Sequence, residues 1–170
     1  MSGKIVFRGS ASVPDTKFAD GFYPRHARDE GIQIQKGGQM IGGVSTAKEL
    51  EPAVRYAANY GGWVYVCYVT DGVDVLEYIL DRSERWFGGN SWKGGIENAR
   101  TQAEIAAPCV PPRQVIAGRQ ARINGDSAEL FGKVRLNWTT AMPGTTVPAT
   151  DAMAAIRMLS GDVSVPKDYQ

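Results

Sequence analysis

The sequence is poor in the residues from which metal centres and disulfide frameworks are built. Its 170 residues include two cysteines, Cys67 and Cys109, and a single histidine, His26. The cysteines are far apart and form no Cys-x-x-Cys motif, so the sequence indicates neither a zinc site nor a redox-active pair. Cys67 stands within an apolar run and is most simply a core residue. We therefore expect no metal, and a disulfide is the less favoured alternative.

A strong charge bias and long apolar segments are also missing. The formal net charge is +1, which gives no general electrostatic basis for binding nucleic acids or membranes. A nucleic acid held locally as a substrate is still compatible with this charge. No apolar run reaches the length that a bilayer-spanning helix needs. Residues 1–8 show no apolar signal-peptide region, so we expect a protein that stays in the cytoplasm or is exported by another route.

What is present indicates one domain of mixed α and β structure. Hydrophobic residues make up 43% and charged residues 22% of the chain, as in ordinary globular proteins. A chain of this length forms one domain with a substantial core. The 20 glycines and 9 prolines indicate many turns between mostly short strands. We find no repeat or interior linker that would divide the chain, and we predict the α+β class.

The strongest secondary-structure patterns lie in the first half of the chain. Residues 63–69 are aromatic, β-branched and uncharged, which is typical of a buried central strand. Before them, the apolar residues of segment 50–58 recur at helical spacing. Pro52 belongs in the first turn of that helix, which should begin near residues 48–51 and end at Gly61.

The remaining segments give weaker predictions. A turn at Asn124-Gly125 should join a strand at 118–123 to a strand around 133–138. Thr150 should cap a short helix near the C-terminus. The other assignments are strands at 4–8 and 114–117, a turn at 12–15, a loop at 31–43, either strand or helix at 73–80, an exposed loop at 82–98, a linker at 139–150 and loosely held final residues.

The predicted loop at 82–98 carries three large aromatic side chains, Trp86, Phe87 and Trp92, among paired glycines. Exposed aromatic residues on a glycine-rich loop commonly take part in binding. We therefore expect this loop to recognise a substrate. The alternative is that these side chains fold back onto the domain.

One short segment combines two side chains of chemical interest. Gln102 and Glu104 are separated by one residue, and in extended backbone such side chains share a face. A carboxylate in this position can stabilise a positive charge that develops on a sugar, and a neighbouring amide can hold an acceptor group. Gln-x-Glu alone has little specificity, so its weight depends on the rest of the chain.

Four motifs occur in an informative order. They are Phe7-Arg8, Gly21-Phe22-Tyr23-Pro24-Arg25, Val44-Ser45-Thr46 before a helix, and Gln102-Ala103-Glu104 with Val110-Pro111-Pro112 after it. Over about residues 5–117, this order resembles the mono-ADP-ribosyltransferase toxins of the cholera and pertussis type. Those toxins have an arginine on the first strand, a Ser-Thr-Ser motif before a helix and a Glu/Gln-x-Glu motif.

The resemblance implies a fold, a reaction and a substrate. The fold would consist of two packed antiparallel or mixed β-sheets around an NAD cleft, with short flanking helices. Residues 1–170 would form a single catalytic domain, with 139–170 as a C-terminal linker and short helix. The reaction would cleave NAD at the nicotinamide N-glycosidic bond and transfer ADP-ribose to a macromolecular acceptor. NAD would be a substrate, and no metal would be needed.

The resemblance also implies roles for individual residues. Glu104 would stabilise the oxocarbenium-like ribose, and Ser45 would orient Glu104. Arg8 would contact the pyrophosphate or the adenosine-side ribose, and Arg25 would add a second phosphate contact. Thr46 would help to form the nicotinamide pocket. The alternatives are a surface ion pair for Arg8, a helix cap formed by Ser45-Thr46 and a solvated basic face around Arg25.

Two departures from the family pattern bear on specificity. Ala47 stands where the family has the last serine of Ser-Thr-Ser, which affects the details of the nicotinamide pocket. Gln102, which would position the acceptor, stands where arginine-modifying members have glutamate. A neutral amide cannot pair with a guanidinium and deprotonate it. Family members with Gln-x-Glu act on asparagine, glutamine, cysteine or nucleic-acid bases, so the resemblance implies one of these acceptors rather than arginine.

Other functions are consistent with the same residues. An NAD glycohydrolase would use water as the acceptor, and a non-catalytic module would keep the fold only to bind another protein. The leading hypothesis is a bacterial toxin or effector that is secreted without a signal peptide and acts in the cytoplasm of a target cell. Its partners would be NAD, the acceptor and an immunity protein, with no membrane partner.

Overall fold

The computed structural model describes residues 3–26, 29–35, 38–83, 93–141 and 146–168. The helices in these residues are α1 (Pro14–Asp20), α2 (Leu50–Asn59), α3 (Val75–Ser83), α4 (Lys93–Gln102) and α5 (Ala149–Ser160). The strands are β1 (Lys4–Ser10), β2 (Gln33–Ile34), β3 (Met40–Ile41), β4 (Val44–Ala47), β5 (Trp63–Val69), β6 (Val73–Asp74), β7 (Glu104–Ala107), β8 (Val115–Asn124), β9 (Ser127–Leu136) and β10 (Ser164–Pro166). The described residues also form two short 3₁₀ helices, Pro112–Gln114 between β7 and β8 and Trp138–Ala141 between β9 and α5.

Eight strands form one antiparallel sheet in the order β10-β9-β8-β5-β1-β4-β7-β6, and β2 pairs with β3 separately. The predicted α+β class, with a large antiparallel sheet and short helices, is confirmed. We expected two packed sheets. Instead, β1 pairs with β5 on one side and with β4 on the other, and this joins the main strands into one continuous sheet.

The central strand β5 is confirmed as predicted, and it separates two cores. Its side chains alternate in direction because successive residues of a strand point to opposite faces. Val64 and Val66 pack in a core with residues of α2 and α5. Tyr65 and Cys67 pack on the other face with Val110. The uncharged sequence of β5 therefore reflects burial on both sides.

Helix α2 is also confirmed in position and length. Pro52 lies in its first turn, where a missing N–H costs no hydrogen bond. Gly61 follows the helix with φ 64°, and the N–H of Gly62 donates to the carbonyl of Ala57 at 2.7 Å. The buried face of α2 packs against β1 and β8. This packing places Ala53 and Tyr56 of α2 beside Gly9, near the end of β1.

The N-terminal segment differs from the prediction in two places. The turn predicted at 12–15 is wrong in its second half, because Pro14 and Asp15 begin α1. Proline is favoured in the first helical turn, where its fixed φ suits the helix. The loop predicted at 31–43 contains the short strands β2 and β3.

The prediction of an exposed loop at 82–98 is wrong for residues 82–83 and 93–98, which are the part that the structure describes. Its first two residues end α3, and residues 93–98 begin α4. The two helices pack through an apolar cluster that includes Ile79 and Ala99. This burial outweighs the low helix propensity of Gly94-Gly95. The segment 73–80, for which the sequence allowed either a strand or a helix, contains both β6 and the start of α3.

The predicted hairpin at Asn124-Gly125 is confirmed, with longer strands than expected. The segments 114–117 and 118–123 belong almost entirely to one strand, β8, and its partner begins at Ser127. Each strand of the hairpin has ten residues, and the pairing shifts register between Gly118 and Gln120.

The C-terminal segment is more tightly held than its sequence indicated. Pro148, not Thr150, stands at the N-cap of α5, and no side chain caps this helix. The final residues are not loose through 168, because β10 pairs with β9 and Val165 is buried. Arg55 of α2 fastens this strand by donating from Nε to the carbonyl of Pro166 at 2.8 Å.

Candidate active site

The pairing of β4 with β7 brings Ser45 and Glu104 together. The strands are antiparallel, with Ala47 opposite Glu104. Ser45 and Ala47 are two residues apart on one strand, so their side chains point to the same face. The Ser45 hydroxyl donates a hydrogen bond of 2.7 Å to Oε1 of Glu104. This contact fixes the orientation of the carboxylate.

Glu104 is a buried carboxylate at the start of β7, with 7% of its surface exposed. Burial raises the pKa of Glu104 above its ordinary value, and the hydrogen bond from Ser45 offsets part of that rise. A carboxylate in such surroundings interacts more strongly with a nearby positive charge than it would in water. Glu104 is therefore suited to stabilise a cation that forms beside it.

Arg8 contributes a cation from the neighbouring strand β1. Its Nη1 donates a hydrogen bond of 2.6 Å to the carbonyl oxygen of Ser45. Its guanidinium carbon is 5.1 Å from the centre of the Phe22 ring. Within the described part of the chain, Nε of Arg8 is buried and lacks a hydrogen-bond partner. Burial lowers the pKa of Arg8, but an arginine stays protonated in proteins. Arg8 is therefore an incompletely bonded cation.

Thr46 holds the two strands together from the opposite side of β4. Its hydroxyl donates a hydrogen bond of 2.7 Å to the carbonyl of Ile105, the residue directly across the ladder. Thr46 is 3% exposed. The hydroxyl is thus engaged with the backbone of β7, one residue from Glu104.

A cleft of about 530 Å³ brings the predicted residues together. Its lining includes all six residues to which the sequence assigned catalytic or NAD-binding roles: Arg8, Arg25, Ser45, Thr46, Gln102 and Glu104. This volume is in the usual range for small-molecule sites. The roles assigned to these residues stay predictions, and their convergence is what the fold adds to the sequence.

The predicted backbone of the Gln-x-Glu pair is wrong. Gln102 is the last residue of α4, Ala103 has φ 46°, and Glu104 begins β7. The side chains meet at one cleft because the chain turns sharply at Ala103, not because extended backbone aligns them. Gln102 is exposed whereas Glu104 is buried. The amide is thus more accessible to solvent than the carboxylate.

The turn at Ala103 is held by a residue that the sequence did not single out. The N–H of Lys48 donates to the carbonyl of Ala103 at 2.8 Å. The Lys48 ammonium lies 3.0 Å from Oδ2 of Asp74, which is buried. Oδ1 of Asp74 accepts the N–H of Glu77 in the first turn of α3. Lys48 and Asp74 therefore join this turn to the start of α3.

The pKa of Asp74 shows how well this carboxylate is satisfied. Burial acts to raise that pKa, but the N–H groups of Glu77 and Leu76 and the Lys48 ammonium together hold it below its ordinary value. Asp74 and Glu104 are both buried, yet their pKa values shift in opposite directions. The better-paired carboxylate is structural, and the less compensated one faces the cleft.

Sequence reasoning also missed Tyr23 and Tyr56, which line the cleft and are 58% and 49% exposed. Tyr56 is an aromatic residue on the exposed face of the amphipathic helix α2, and that position was a usable signal. His26 is exposed and lines the cleft beside Arg25. The predicted substrate-recognition residues Trp86, Phe87 and Trp92 lie outside the described residues.

The described residues provide neither a metal site nor a disulfide nor a membrane-spanning helix. No group of three or more His, Cys, Asp or Glu side chains there could hold a metal ion. Both cysteines are free, and burial raises the pKa of Cys67 to about 12. Among the described helices, none has the length and apolar character to cross a membrane.

No protein-family model and no curated protein sequence matches the chain. Solved structures do match it. Full-length CARDS toxin superposes with a TM-score of 0.61 at 15% identity, covering 88% of this chain and 32% of the toxin chain. Nicked CARDS toxin gives 0.59 at 14% identity, with 86% and 34% covered. Scabin toxin from Streptomyces scabies in complex with NADH gives 0.48 at 23% identity, with 68% and 62% covered.

The chain thus spans about a third of the length of CARDS toxin. At these identities the likeness concerns the fold alone, and this chain shares its mixed α+β fold with CARDS toxin.

Proposed function

We propose that this protein is a mono-ADP-ribosyltransferase that cleaves NAD at the nicotinamide N-glycosidic bond. The observation that carries the proposal is the contact series from Glu104 through Ser45 to Arg8. It places a buried carboxylate, the hydroxyl that orients it and a cation in one cleft. The fold supports the same reaction.

The chemistry requires a negative charge more than it requires an acid. When the bond between ribose C1′ and the nicotinamide nitrogen breaks, its electron pair neutralises the leaving group, so no proton is needed. Positive charge then develops on the ribose, as in glycoside hydrolysis. Glu104 stabilises that charge from a buried position where electrostatic effects are strong. The acceptor then bonds to C1′ and releases a proton.

Two arginines fit the phosphates of the substrate. Arg8 has a buried Nε without a partner among the described atoms, and its guanidinium is held in place through Ser45. Arg25 is exposed and lines the same cleft. Like charges that converge on a cleft are favourable when an anion binds between them. A pyrophosphate group would satisfy both.

Gln102 is the proposed contact for the acceptor, because it is exposed at the cleft next to Glu104. Its neutral amide argues for an acceptor other than arginine, either a protein side chain or a nucleic-acid base. We further propose that residues 1–170 act as one catalytic domain and that the protein serves as a secreted toxin or effector. An immunity protein in the producing cell would then be a partner.

The proposal is tested by following nicotinamide release from NAD, with cell extract present as a source of acceptors. Glu104→Gln keeps the size of the side chain but removes its charge, and should slow release about 100-fold, as expected for loss of one stabilising group. Glu97→Gln is the matched control, because Glu97 is an exposed carboxylate on α4 that is not part of the cleft lining. It should release nicotinamide at the wild-type rate.

Circular dichroism confirms that each variant is folded. A wild-type rate no higher than that of Glu104→Gln would contradict the proposal. Tagged NAD and mass spectrometry of the extract then separate transferase from glycohydrolase. Tagged ADP-ribose on a macromolecule supports transfer, whereas nicotinamide release without such labelling assigns water as the acceptor.

A further inference from the structure

Phe22 is a buried aromatic residue that the proposed reaction has not used. It is 3% exposed and is not part of the cleft lining, so a ligand in the cleft would not touch it. The guanidinium carbon of Arg8 nevertheless lies 5.1 Å from the centre of the Phe22 ring. At that distance the negative charge of a ring face attracts a guanidinium. Contact with Arg8 is therefore the route by which Phe22 can act on the cleft.

The backbone of Phe22 is fixed by the segment that follows β7. Its N–H donates to the carbonyl of Val110, and its carbonyl accepts the N–H of Val110, each at 2.8 Å. Gly21 precedes it with φ 71°, and a Cβ atom there would overlap the carbonyl oxygen of Val110. This close approach therefore depends on glycine at position 21. It sets the point from which the Phe22 side chain starts.

The ring of Phe22 is held by a second aromatic residue. Tyr65 of β5 meets it in an edge-to-face contact, with ring centres 5.4 Å apart and an interplanar angle of 65°. Tyr65 is fully buried, and its hydroxyl donates to the carbonyl of Ser12. An aromatic side chain that is packed and hydrogen-bonded in this way keeps one orientation. The Phe22 ring thus presents a fixed face to Arg8.

A hydrogen bond and the Phe22 ring together hold the Arg8 guanidinium. The bond from Nη1 to the carbonyl of Ser45 fixes one point, and the guanidinium could still rotate about that point. Contact with the ring restricts this rotation, because a guanidinium prefers to lie over an aromatic face. A group that is ordered before binding loses less entropy when its ligand arrives.

We propose that Phe22 is a positioning residue, which holds Arg8 by a cation–π contact in the orientation that binds the phosphates of NAD. This inference rests on the proposed function, which places those phosphates at Arg8. It assigns to a buried ring outside the cleft a part of the affinity for the dinucleotide.

Lys17 brings a second cation to the same ring. Its Nζ is 4.9 Å from the ring centre of Phe22 and 3.5 Å from the carbonyl oxygen of Gly21. Unlike Arg8, Lys17 is not part of the cleft lining. Lys17→Met therefore removes one charge from the ring without changing the cleft, and it shows which of the two cations a change in the ring acts through.

Calorimetry with NAD and ADP-ribose tests this assignment without depending on turnover. Phenylalanine analogues with one, two or three ring fluorines are placed at position 22. They keep the shape of the side chain nearly unchanged and remove negative charge from the ring face step by step. Binding of both ligands should weaken with each fluorine, to about fivefold with three, as expected for loss of one cation–π contact. A Phe22→Leu variant would be less informative, because it also leaves a gap in the core.

Steady-state nicotinamide release gives a second readout. KM for NAD should rise with each fluorine while kcat stays at the wild-type value, because Arg8 binds the substrate and Glu104 stabilises the charge. A ring that served only to fill the core would not give this graded change.

The same analogues at Phe18 are the matched control. Phe18 also contacts Tyr65, with ring centres 6.2 Å apart, and no cation of the described residues lies over its ring. Fluorination of Phe18 and the Lys17→Met substitution should both leave NAD affinity unchanged. Equal losses at the two phenylalanines, NAD affinity that does not respond to fluorination of Phe22, or a response that disappears in Lys17→Met would each overturn the assignment.

The two proposals fail in distinguishable ways. If fluorination of Phe22 weakens NAD binding but wild type releases no nicotinamide, the positioning role is supported and the proposed reaction is wrong. If wild type releases nicotinamide and NAD affinity is the same throughout the Phe22 series, the reaction is supported and the positioning role is wrong.

Discussion

The two ends of the eight-stranded sheet differ in how their polar groups are satisfied. The hairpin end consists of β8, β9 and β10, and the cleft end consists of β4, β7 and β6. At the hairpin end, Arg122 pairs with Glu129 at 2.8 Å, and Arg119 donates to the carbonyls of Gly132, Leu159 and Gly161. These charged groups lie on the surface, and the structure gives them partners.

The cleft end buries its polar groups and leaves some of them under-compensated. Glu104 has a raised pKa, the nearby Arg8 has a buried Nε without a partner among the described atoms, and Ala103 has a left-handed φ. Such departures concentrate where a protein binds ligands, because a ligand can supply what the fold leaves unsatisfied. The difference between the two ends thus locates the site independently of sequence motifs.

Among the substitutions that compare the two ends of the sheet, Ser45→Ala should have the largest effect, because it removes the hydroxyl that orients Glu104. Hydrogen bonds to charged groups contribute about 1.5–3 kcal/mol, so nicotinamide release should fall about tenfold or more. The hydrogen bond from Ser45 lowers the pKa of Glu104, so its loss should raise that pKa further. Because the proposed reaction uses the ionised form of Glu104, the acid limb of kcat/KM should move to higher pH.

Measuring kcat/KM against pH for wild type and Ser45→Ala checks this prediction. Ser127→Ala at the hairpin end is the control, and its profile should match that of wild type. A uniform decrease in rate with no shift of the acid limb would show that Ser45 does not act through Glu104.

A smaller effect, on stability, should come from the ion pair at the cleft end. Asp74→Asn should lower the free energy of unfolding at neutral pH by about 1–2 kcal/mol, the range for a hydrogen bond to a charged group after screening. The lower end is expected because the Lys48 side chain is 39% exposed. Asp126→Asn breaks the matched pair at the hairpin end, where Asp126 is fully exposed and 4.0 Å from Lys167, and should change nothing measurable.

The pH dependence sharpens this comparison. The pKa of Asp74 is lowered in the folded state, so its stabilisation is present above the unfolded pKa and is lost as pH falls through the folded pKa. Urea unfolding at several pH values should show the difference between wild type and Asp74→Asn shrinking in acid. A difference that does not vary with pH would show that the charge of Asp74 is not what stabilises the fold.

Local patterns predicted the parts of this molecule whose sequence signal is itself local. β5 and α2 followed from composition and periodicity, and the order of the motifs pointed to Ser45 and Glu104. α4 was missed because glycines and polar residues weaken its helix signal, and its stability comes from packing on α3. Lys48 and Asp74 are 26 residues apart, so their pairing is visible only after folding. The left-handed turn at Ala103 was missed because the hydrogen bond from Lys48 that holds it also forms only in the folded chain.

The smallest expected effect concerns the left-handed backbone of that turn. One substitution there and one at the hairpin end should change the free energy of unfolding in opposite directions. Ala103 at the cleft end has φ 46°, and Gly132 at the hairpin end has φ 75°. Left-handed backbone costs a residue with a Cβ about 1 kcal/mol relative to glycine. Ala103→Gly should therefore raise the free energy of unfolding by about 1 kcal/mol, and Gly132→Ala should lower it by about as much.

Space does not explain the second effect, because a Cβ at Gly132 would meet Oε1 of Gln120 at 3.5 Å, an ordinary contact. Ala103→Gly should also reduce transfer of ADP-ribose a few-fold, because glycine loosens the junction that sets Gln102 against Glu104. Gly132→Ala should leave transfer unchanged. Urea unfolding and the labelling assay test both statements. If Ala103→Gly proves less stable than wild type, the left-handed turn is not a source of strain, and the contrast between the two ends would rest on their charged groups alone.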